Sequence, residues 1–226
     1  MTNTIVIDRR ATLTWLAAAM AVLPESAQGS GLASTKWPSV TLAPVMTRGY
    51  GTDPDLANPL APWPLTLTRT ELEAATALCD VILPSDGEAS AASLVGVPAF
   101  INEWVSAPYP VQQRDRRLIV EGLAWIDAES RQRGQKSFAD TIPETRIAIC
   151  DDIAFSAKVK SGYEKPAEFF ALMRALTLRS YFSTAEGWLQ IGYLGNTPSD
   201  GPYPGPTPEA AVHIAKVISG LGLPDV

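Results

Sequence analysis

Helix start signals recur from residue 65 onward, and they constrain the fold of this chain more than any other feature. The clearest is Thr68, which forms a capping-box pattern with Glu71 ahead of an apolar run that Pro84 ends. No segment alternates apolar and polar residues as a half-buried strand would. We therefore predict an all-α domain of about six helices over residues 65–226.

Apolar spacing and capping residues locate the other helices. Two are predicted over about 98–105 and 111–133, and prolines 143 and 166 open two more. Ser183 and Glu186 form a second capping-box pattern, and Thr207 caps the last helix. The inward positions that this spacing predicts include Ile82, Ile119, Leu123, Ile126, Ile149, Ile153, Phe169, Leu172, Met173 and Leu176.

The first 33 residues have the features of an export leader. Arg9 and Arg10 precede a short apolar run that includes Leu13 and ends at Pro24, which is typical of a twin-arginine signal. The run is shorter than the ~20 residues that span a bilayer. Two small-x-small cleavage patterns follow, ending at Gly29 and at Ala33, and neither stands out. We expect export to the periplasm through the twin-arginine translocase.

Residues 34–64 differ from the rest in their proline density. Six prolines and two glycines break any period of 2 or 3.6, so this segment is predicted to be extended. Its apolar residues, among them Trp37, Tyr50 and Trp63, are too many for a solvated tether. We expect the segment to pack in a groove, either on this domain or on a partner.

Charge and metal-ligand content exclude several classes of function. The net charge is −6 and no basic stripe is present, which argues against binding of nucleic acid. Cysteine and histidine are too sparse and too scattered for zinc, iron–sulfur or c-type haem sites. The two cysteines, Cys79 and Cys150, lie at apolar helix positions; they could form one disulfide or be buried free thiols, and the sequence favours neither.

No group of residues indicates an active site in this chain. His213 lies in a predicted helix without a nearby nucleophile, so we interpret it as a packed or surface histidine. Asp151 and Asp152 are adjacent and point to different helix faces, as on a solvated surface. We therefore expect no catalytic, cofactor-binding or metal-binding residues here.

The loop from about Gly187 to Pro206 is rich in glycine, proline and aromatic residues. Its large side chains, Trp188, Tyr193 and Tyr203, are of the kind that dominate protein interfaces. With Asn196, they are our predicted partner interface. The alternative is a loop that packs on its own domain.

Taken together, these motifs resemble the gluconate 2-dehydrogenase subunit 3 family. The resemblance covers residues 65 to about 206, and its strength lies in the order and spacing of the pieces. Besides the twin-arginine leader, the matching pieces are Leu67-Thr68-x-x-Glu71 leading to Asp80-Val81-Ile82-Leu83-Pro84, Gly96-Val97-Pro98-Ala99-Phe100-Ile101, Phe169 to Thr177, Tyr181-Phe182-Ser183-Thr184, Gly187-Trp188, and Gly192-Tyr193-x-Gly195-Asn196 through Tyr203-Pro204-Gly205.

The resemblance implies a non-catalytic small subunit of an exported sugar or sugar-acid dehydrogenase, such as gluconate 2-dehydrogenase or glucoside 3-dehydrogenase. FAD would be bound by a large catalytic subunit of the glucose–methanol–choline oxidoreductase fold. A cytochrome c subunit could accept the electrons. The small subunit would stabilise the flavoprotein and escort it through the translocase.

Two other classes of function remain open at this point. One is an independent periplasmic enzyme or sugar-binding protein with a pocket near Trp188 and Tyr193. The other is an electron-transfer subunit, which the missing haem and cluster ligands disfavour.

Overall fold

The protein is built from α-helices. The computed structural model describes residues 35–51, 57, 61–134, 136–155, 159–193, 201 and 205–223. Within them lie α1 (Arg69–Ile82), α2 (Val97–Ser106), α3 (Pro110–Gly134), α4 (Pro143–Ile153), α5 (Glu164–Tyr181), α6 (Ala185–Gln190) and α7 (Pro208–Gly220). The only β-pairing among these residues is an isolated bridge between Asp86 and Ala89. The all-α prediction is confirmed.

The chain divides into two compact units, one ending at Gly192 and one beginning at Tyr193. The first unit holds α1 to α6, and α3 is its central helix, packed against α1, α2, α4 and α5. The second unit holds α7, which Thr207 caps by accepting a hydrogen bond from the Ala210 amide. None of the helices in the described ranges is both long enough and apolar enough to cross a membrane.

The start of α1 forms as its capping box predicts. The Thr68 hydroxyl accepts from the Glu71 amide at 3.3 Å, and the Glu71 carboxylate accepts from the Thr68 amide at 2.7 Å. Helix α5, by contrast, begins at Glu164, two residues before the proline that was expected to open it. Pro166 occupies the third helical position, where a missing N–H costs no intrahelical bond.

The core of the first unit depends on close approach of α3 and α5. Gly122 lies at their crossing, where a Cβ atom would overlap the buried ring of Phe169. The absent side chain lets Phe169 pack directly on the backbone of α3. The fully buried side chains of the same core include Leu78, Ile101, Ile119, Leu123, Trp125, Ile126 and Ile149. Burial of such side chains contributes roughly 1.5–3 kcal/mol each.

Residues 35–51, which we name the strap, are extended and contain neither helix nor strand. The strap runs antiparallel to α3. The Trp125 indole donates to the Thr35 carbonyl at 2.9 Å, and Arg116 donates to the Ala43 carbonyl at 2.7 Å. At the far end the Tyr50 amide donates to the Tyr109 hydroxyl at 2.9 Å. The sequence left two locations for the proline-rich segment, a groove on this domain or one on a partner. The described strap lies against this domain.

The two cysteines are free thiols buried in the core. Cys79 Sγ lies 3.5 Å from the Thr177 hydroxyl, between α1 and α5. Burial raises the pKa of Cys79 from its ordinary 9.0 to about 12. Burial also raises the pKa of Cys150, which lies on α4. Both groups are therefore protonated thiols in the folded chain at neutral pH.

The raised thiol pKa values predict that stability falls in alkali. In the unfolded chain each thiol loses its proton near pH 9, whereas the folded state keeps it, so the folded state binds more protons and is disfavoured as pH rises. Between pH 9 and 10 we expect Cys79 to contribute a loss of about 1 kcal/mol in the free energy of unfolding. Urea denaturation of wild type and Cys79→Ser measures this difference, and equal pH dependence of the two would contradict the prediction. Cys150→Ser serves as the parallel test.

Candidate functional site

Helix α6 exposes large apolar side chains because its opposite side is pressed onto backbone. Gly187 is buried, and a Cβ atom there would overlap the Tyr181 carbonyl oxygen at the end of α5. The residues that follow face outward: Trp188 is 41% exposed, Leu189 76% and Ile191 57%. We name Trp188, Leu189 and Ile191 the α6 surface. Apolar side chains grouped in this way are a common mark of a binding surface.

The capping of α6 differs from the sequence-based prediction. The cap is Thr184, whose hydroxyl accepts from the Gly187 amide at 3.1 Å, whereas the Ser183 hydroxyl donates to the Arg179 carbonyl. The capping box of Ser183 and Glu186 is therefore wrong. Glu186 is drawn away because its carboxylate accepts from the Ser90 amide at 3.1 Å.

The bond from Glu186 joins α6 to the loop before α2. Tyr181 strengthens this junction, since its buried hydroxyl donates to the Ser90 carbonyl at 3.0 Å. A short 3₁₀ turn, Ala92–Val95, continues this loop and carries the exposed Leu94. Two hydrogen bonds to Ser90 therefore tie α6 and the end of α5 to the loop before α2.

The structure places only part of the predicted interface. Trp188 lies on the α6 surface, and Tyr193 is 48% exposed at the start of the second unit. Asn196 and Tyr203 lie outside the described residues, as do Arg9, Arg10 and Leu13 of the leader. The loop pattern drew attention to aromatic residues, but Leu189 and Ile191 are more exposed than Trp188. Sequence reasoning missed both because leucine and isoleucine are among the residues most often buried.

Helix α7 is amphipathic, and every one of its apolar residues retains solvent exposure. Its exposed large side chains are Val212, Ile214 and Val217, and Leu221 and Leu223 follow it. His213 is also exposed, so of the two positions expected for it the surface one is found.

A charged cluster centred on the buried Glu129 joins α3 to α4. Arg133 bonds to Glu129 at 2.5 Å and to Asp152 at 2.9 Å, and Lys160 bonds to the other oxygen of Asp152 at 3.1 Å. The Tyr163 hydroxyl donates to Glu129 at 3.2 Å. Asp152 is therefore not on a solvated face as expected, because Arg133 and Lys160 hold it at the junction. The i,i+4 spacing of Glu129 and Arg133 was the one sequence signal for the cluster.

The cluster stabilises the packing of α4 against α3. Burial alone would lower the pKa of Arg133, but hydrogen bonds and charges from Glu129 and Asp152 outweigh that effect and raise it. Burial, together with the Glu129 charge, raises the pKa of Tyr163 above its ordinary 10.0. Both groups are thereby held in their protonated forms, and the arrangement fixes α4 against α3.

A cleft of about 310 Å³ lies between the start of α1 and the second half of α3. Its apolar lining comes from Ala74, Leu123, Ala124 and Ala128. Both carboxylates in its lining already have partners within the chain. Asp127 bonds to Arg131 at 2.8 Å, and Glu71 forms the α1 capping box. Sugar pockets present polar groups to ligand hydroxyls. The cleft is an apolar recess, and neither Trp188 nor Tyr193 lines it.

The fold and its exposed surface together define a class: a small all-α protein with exposed apolar side chains on and next to a short helix. The sequence model of the family described as gluconate 2-dehydrogenase subunit 3 matches residues 69–201, which is more than half of the chain, and the chain belongs to that family. The match runs from the start of α1 past α6 and includes the α6 surface. No curated protein and no solved structure matches the chain.

Proposed function

We propose that this chain is the non-catalytic small subunit of an FAD-dependent sugar or sugar-acid dehydrogenase. It binds the catalytic flavoprotein, stabilises it and escorts it through twin-arginine export to the periplasm. The family is described as subunit 3 of gluconate 2-dehydrogenase, which supports a role within an oxidoreductase complex. FAD belongs to the large subunit, and a cytochrome c subunit is a further partner that such a complex could recruit.

The observation that carries this proposal is the α6 surface. It lies inside the family-matched residues, it is apolar, and the buried Gly187 prevents α6 from turning those side chains inward. Interface energy concentrates in a few large anchors, and tryptophan is enriched among them. We assign the α6 surface to the contact with the flavoprotein.

The interface assignment predicts a specific loss of binding. Leu189→Asp places a charge in the proposed contact, and we expect the amount of flavoprotein that co-purifies with the tagged chain to fall at least tenfold, which corresponds to about 1.4 kcal/mol. Both chains are expressed together, the partner being the flavoprotein encoded beside this chain. Ile142→Asp is the matched control, because Ile142 is also exposed but lies at the start of α4. Unchanged recovery with Leu189→Asp would contradict the assignment.

The export role is tested in the same strain by measuring FAD-dependent activity separately in the cytoplasm and the periplasm. Replacing Arg9 and Arg10 by lysine removes the paired arginines while keeping the charge, so we expect flavoprotein activity to be retained in the cytoplasm. Equal periplasmic activity without this chain would refute the escort role. The alternative function, an independent sugar-binding protein, is tested by titrating the purified chain with sugars in a calorimeter. Saturable binding would support that alternative.

A further inference from the structure

Asp86 and Gly87 lie in a tight turn that follows α1. The Asp86 amide donates to the Ala89 carbonyl, and the Ala89 amide donates to the Asp86 carbonyl, both at 3.0 Å. Asp86 and Gly87 are exposed, whereas Ala89 is buried. Gly87 has a φ of 58°, a left-handed conformation that glycine adopts without strain. The turn therefore requires glycine, or a residue with similar freedom, directly after an exposed aspartate.

The side chain of Asp86 and the amide of Gly87 are both unengaged. Within the part of the chain that the structure describes, no hydrogen bond or ion pair holds the Asp86 carboxylate, and the Gly87 N–H has no acceptor. A Cβ atom at Gly87 would meet nothing within 4 Å, so the approach to its nitrogen is open. Asp140 provides a contrast in another exposed turn, because its carboxylate accepts from the Ser137 hydroxyl at 2.5 Å and the β-branched Thr141 follows it.

We propose that Asp86 is a site of spontaneous isomerisation to isoaspartate. The Gly87 nitrogen attacks Cγ of Asp86, and the new N–Cγ bond closes a five-membered succinimide ring. The Cγ–O bond breaks, and its oxygen leaves as water with the carboxyl proton and the Gly87 amide proton. Because both groups belong to adjacent residues, the attack is intramolecular and needs no catalyst.

A second water then opens the ring at the main-chain carbonyl of Asp86. The bond between that carbon and the Gly87 nitrogen breaks, so the chain continues through Cγ and the former main-chain carbonyl becomes a carboxylate. Loss and uptake of one water balance, so the product has the mass of the original chain. Its new carboxylate is the group that S-adenosylmethionine-dependent isoaspartyl methyltransferases esterify, which makes the isomerised chain a substrate for that class of enzyme.

Isomerisation changes the turn at the place where it supports α6. The backbone gains a methylene group, and the Asp86 carbonyl that accepts from Ala89 leaves the main chain, so the turn cannot keep both of its bonds. Ser90 comes next in the chain, and it accepts from the Tyr181 hydroxyl and donates to Glu186. We therefore expect the junction between this loop and α6 to loosen in the isomerised chain.

The direct test incubates the purified full chain, folded at neutral pH, and follows isoaspartate by peptide mass spectrometry with fragmentation that distinguishes the two isomers. Isoaspartyl methyltransferase with labelled S-adenosylmethionine gives an independent count. We expect isoaspartate at residue 86 to exceed that at Asp140 by roughly tenfold or more. Equal amounts at the two positions would overturn the proposal. So would isomerisation of Asp86 in urea without any in the folded chain, because the turn would then block the attack.

Two variants separate the geometry of the turn from the presence of an exposed carboxylate. Asp86→Glu keeps the carboxylate but would need a six-membered ring, so we expect no isomerisation at this position. Gly87→Asn keeps a residue that tolerates the left-handed conformation and adds a Cβ atom beside the attacking nitrogen. We expect the rate to fall by roughly tenfold or more. Isomerisation of Gly87→Asn at the wild-type rate would refute the role of the open approach.

The effect on α6 is measured by hydrogen exchange at the Ser90 amide. We expect faster exchange in wild-type chain after incubation than in Asp86→Glu treated in the same way, because Asp86→Glu keeps the turn intact. Equal exchange, with isoaspartate present at residue 86, would refute the link between the turn and the junction. All these measurements use this chain alone, so their outcome is independent of the function proposed above.

Discussion

Arg133→Met is expected to lower the free energy of unfolding of the full chain by about 3–5 kcal/mol. The substitution keeps most of the side-chain volume but leaves Glu129 as a nearly buried carboxylate with Tyr163 as its remaining donor. It also removes one of the two cations that hold Asp152. Urea denaturation followed by circular dichroism measures the loss as a shift in midpoint at unchanged slope.

Arg131→Met is the matched control, because Arg131 lies two residues away on α3 and also pairs with a carboxylate four residues earlier. Its side chain is largely exposed, so we expect a loss of only ~0–1 kcal/mol. Adding Glu129→Leu to Arg133→Met removes the unpaired charge, and we expect much of the stability to return. If Arg131→Met and Arg133→Met lower the free energy of unfolding equally, the burial of Glu129 adds nothing to the cost of losing its ion pair, which would contradict the prediction.

Trp125→Ala is expected to cost about 3–5 kcal/mol, through lost burial and the cavity left at the centre of the first unit. The indole is fully buried and meets the Tyr163 ring edge-on at 5.7 Å between centroids. It also holds the Thr35 carbonyl, so the strap loses its first attachment. Thermal unfolding should shift downward by roughly 2–4 °C per kcal/mol.

Trp125→Phe separates the two roles of this residue. It keeps an aromatic ring beside Tyr163, but it removes the donor to Thr35 and part of the buried indole volume, so we expect a loss of about 1–3 kcal/mol. Limited proteolysis should then cut the strap before the helices. If Trp125→Phe lowers the free energy of unfolding as much as Trp125→Ala does, the hydrogen bond to the strap contributes more to stability than the packing of the indole in the core.

Local signals predicted most of the helices. The capping box at Thr68 marks a real boundary, because the groups that end a helix are close in sequence. Ser183 shows where this reasoning stops. Its capping box fails because Glu186 finds a donor in Ser90, 96 residues away. Such competition between local and distant partners is invisible to a pattern of four residues.

The charged cluster and the strap illustrate the same limit. Glu129 and Arg133 have the spacing of a solvated helix pair, and only the packing of α4 against α3 turns them into a buried one. Proline density predicted that the strap is extended, and its apolar residues predicted that it is packed. The groove that receives it is set by the facing surface of α3, which no period within the strap encodes.

The geometry of the strap also sets an order of events during synthesis. Thr35 is joined to Gln132 across 97 positions and to Trp125 across 90. At about 5–20 residues per second, the ribosome makes the receiving helix some 5–20 s after the strap itself has appeared. Through that interval the strap lacks the partners on α3 that Thr35 has in the folded protein. The strap can therefore attach only after α3 has been translated and folded.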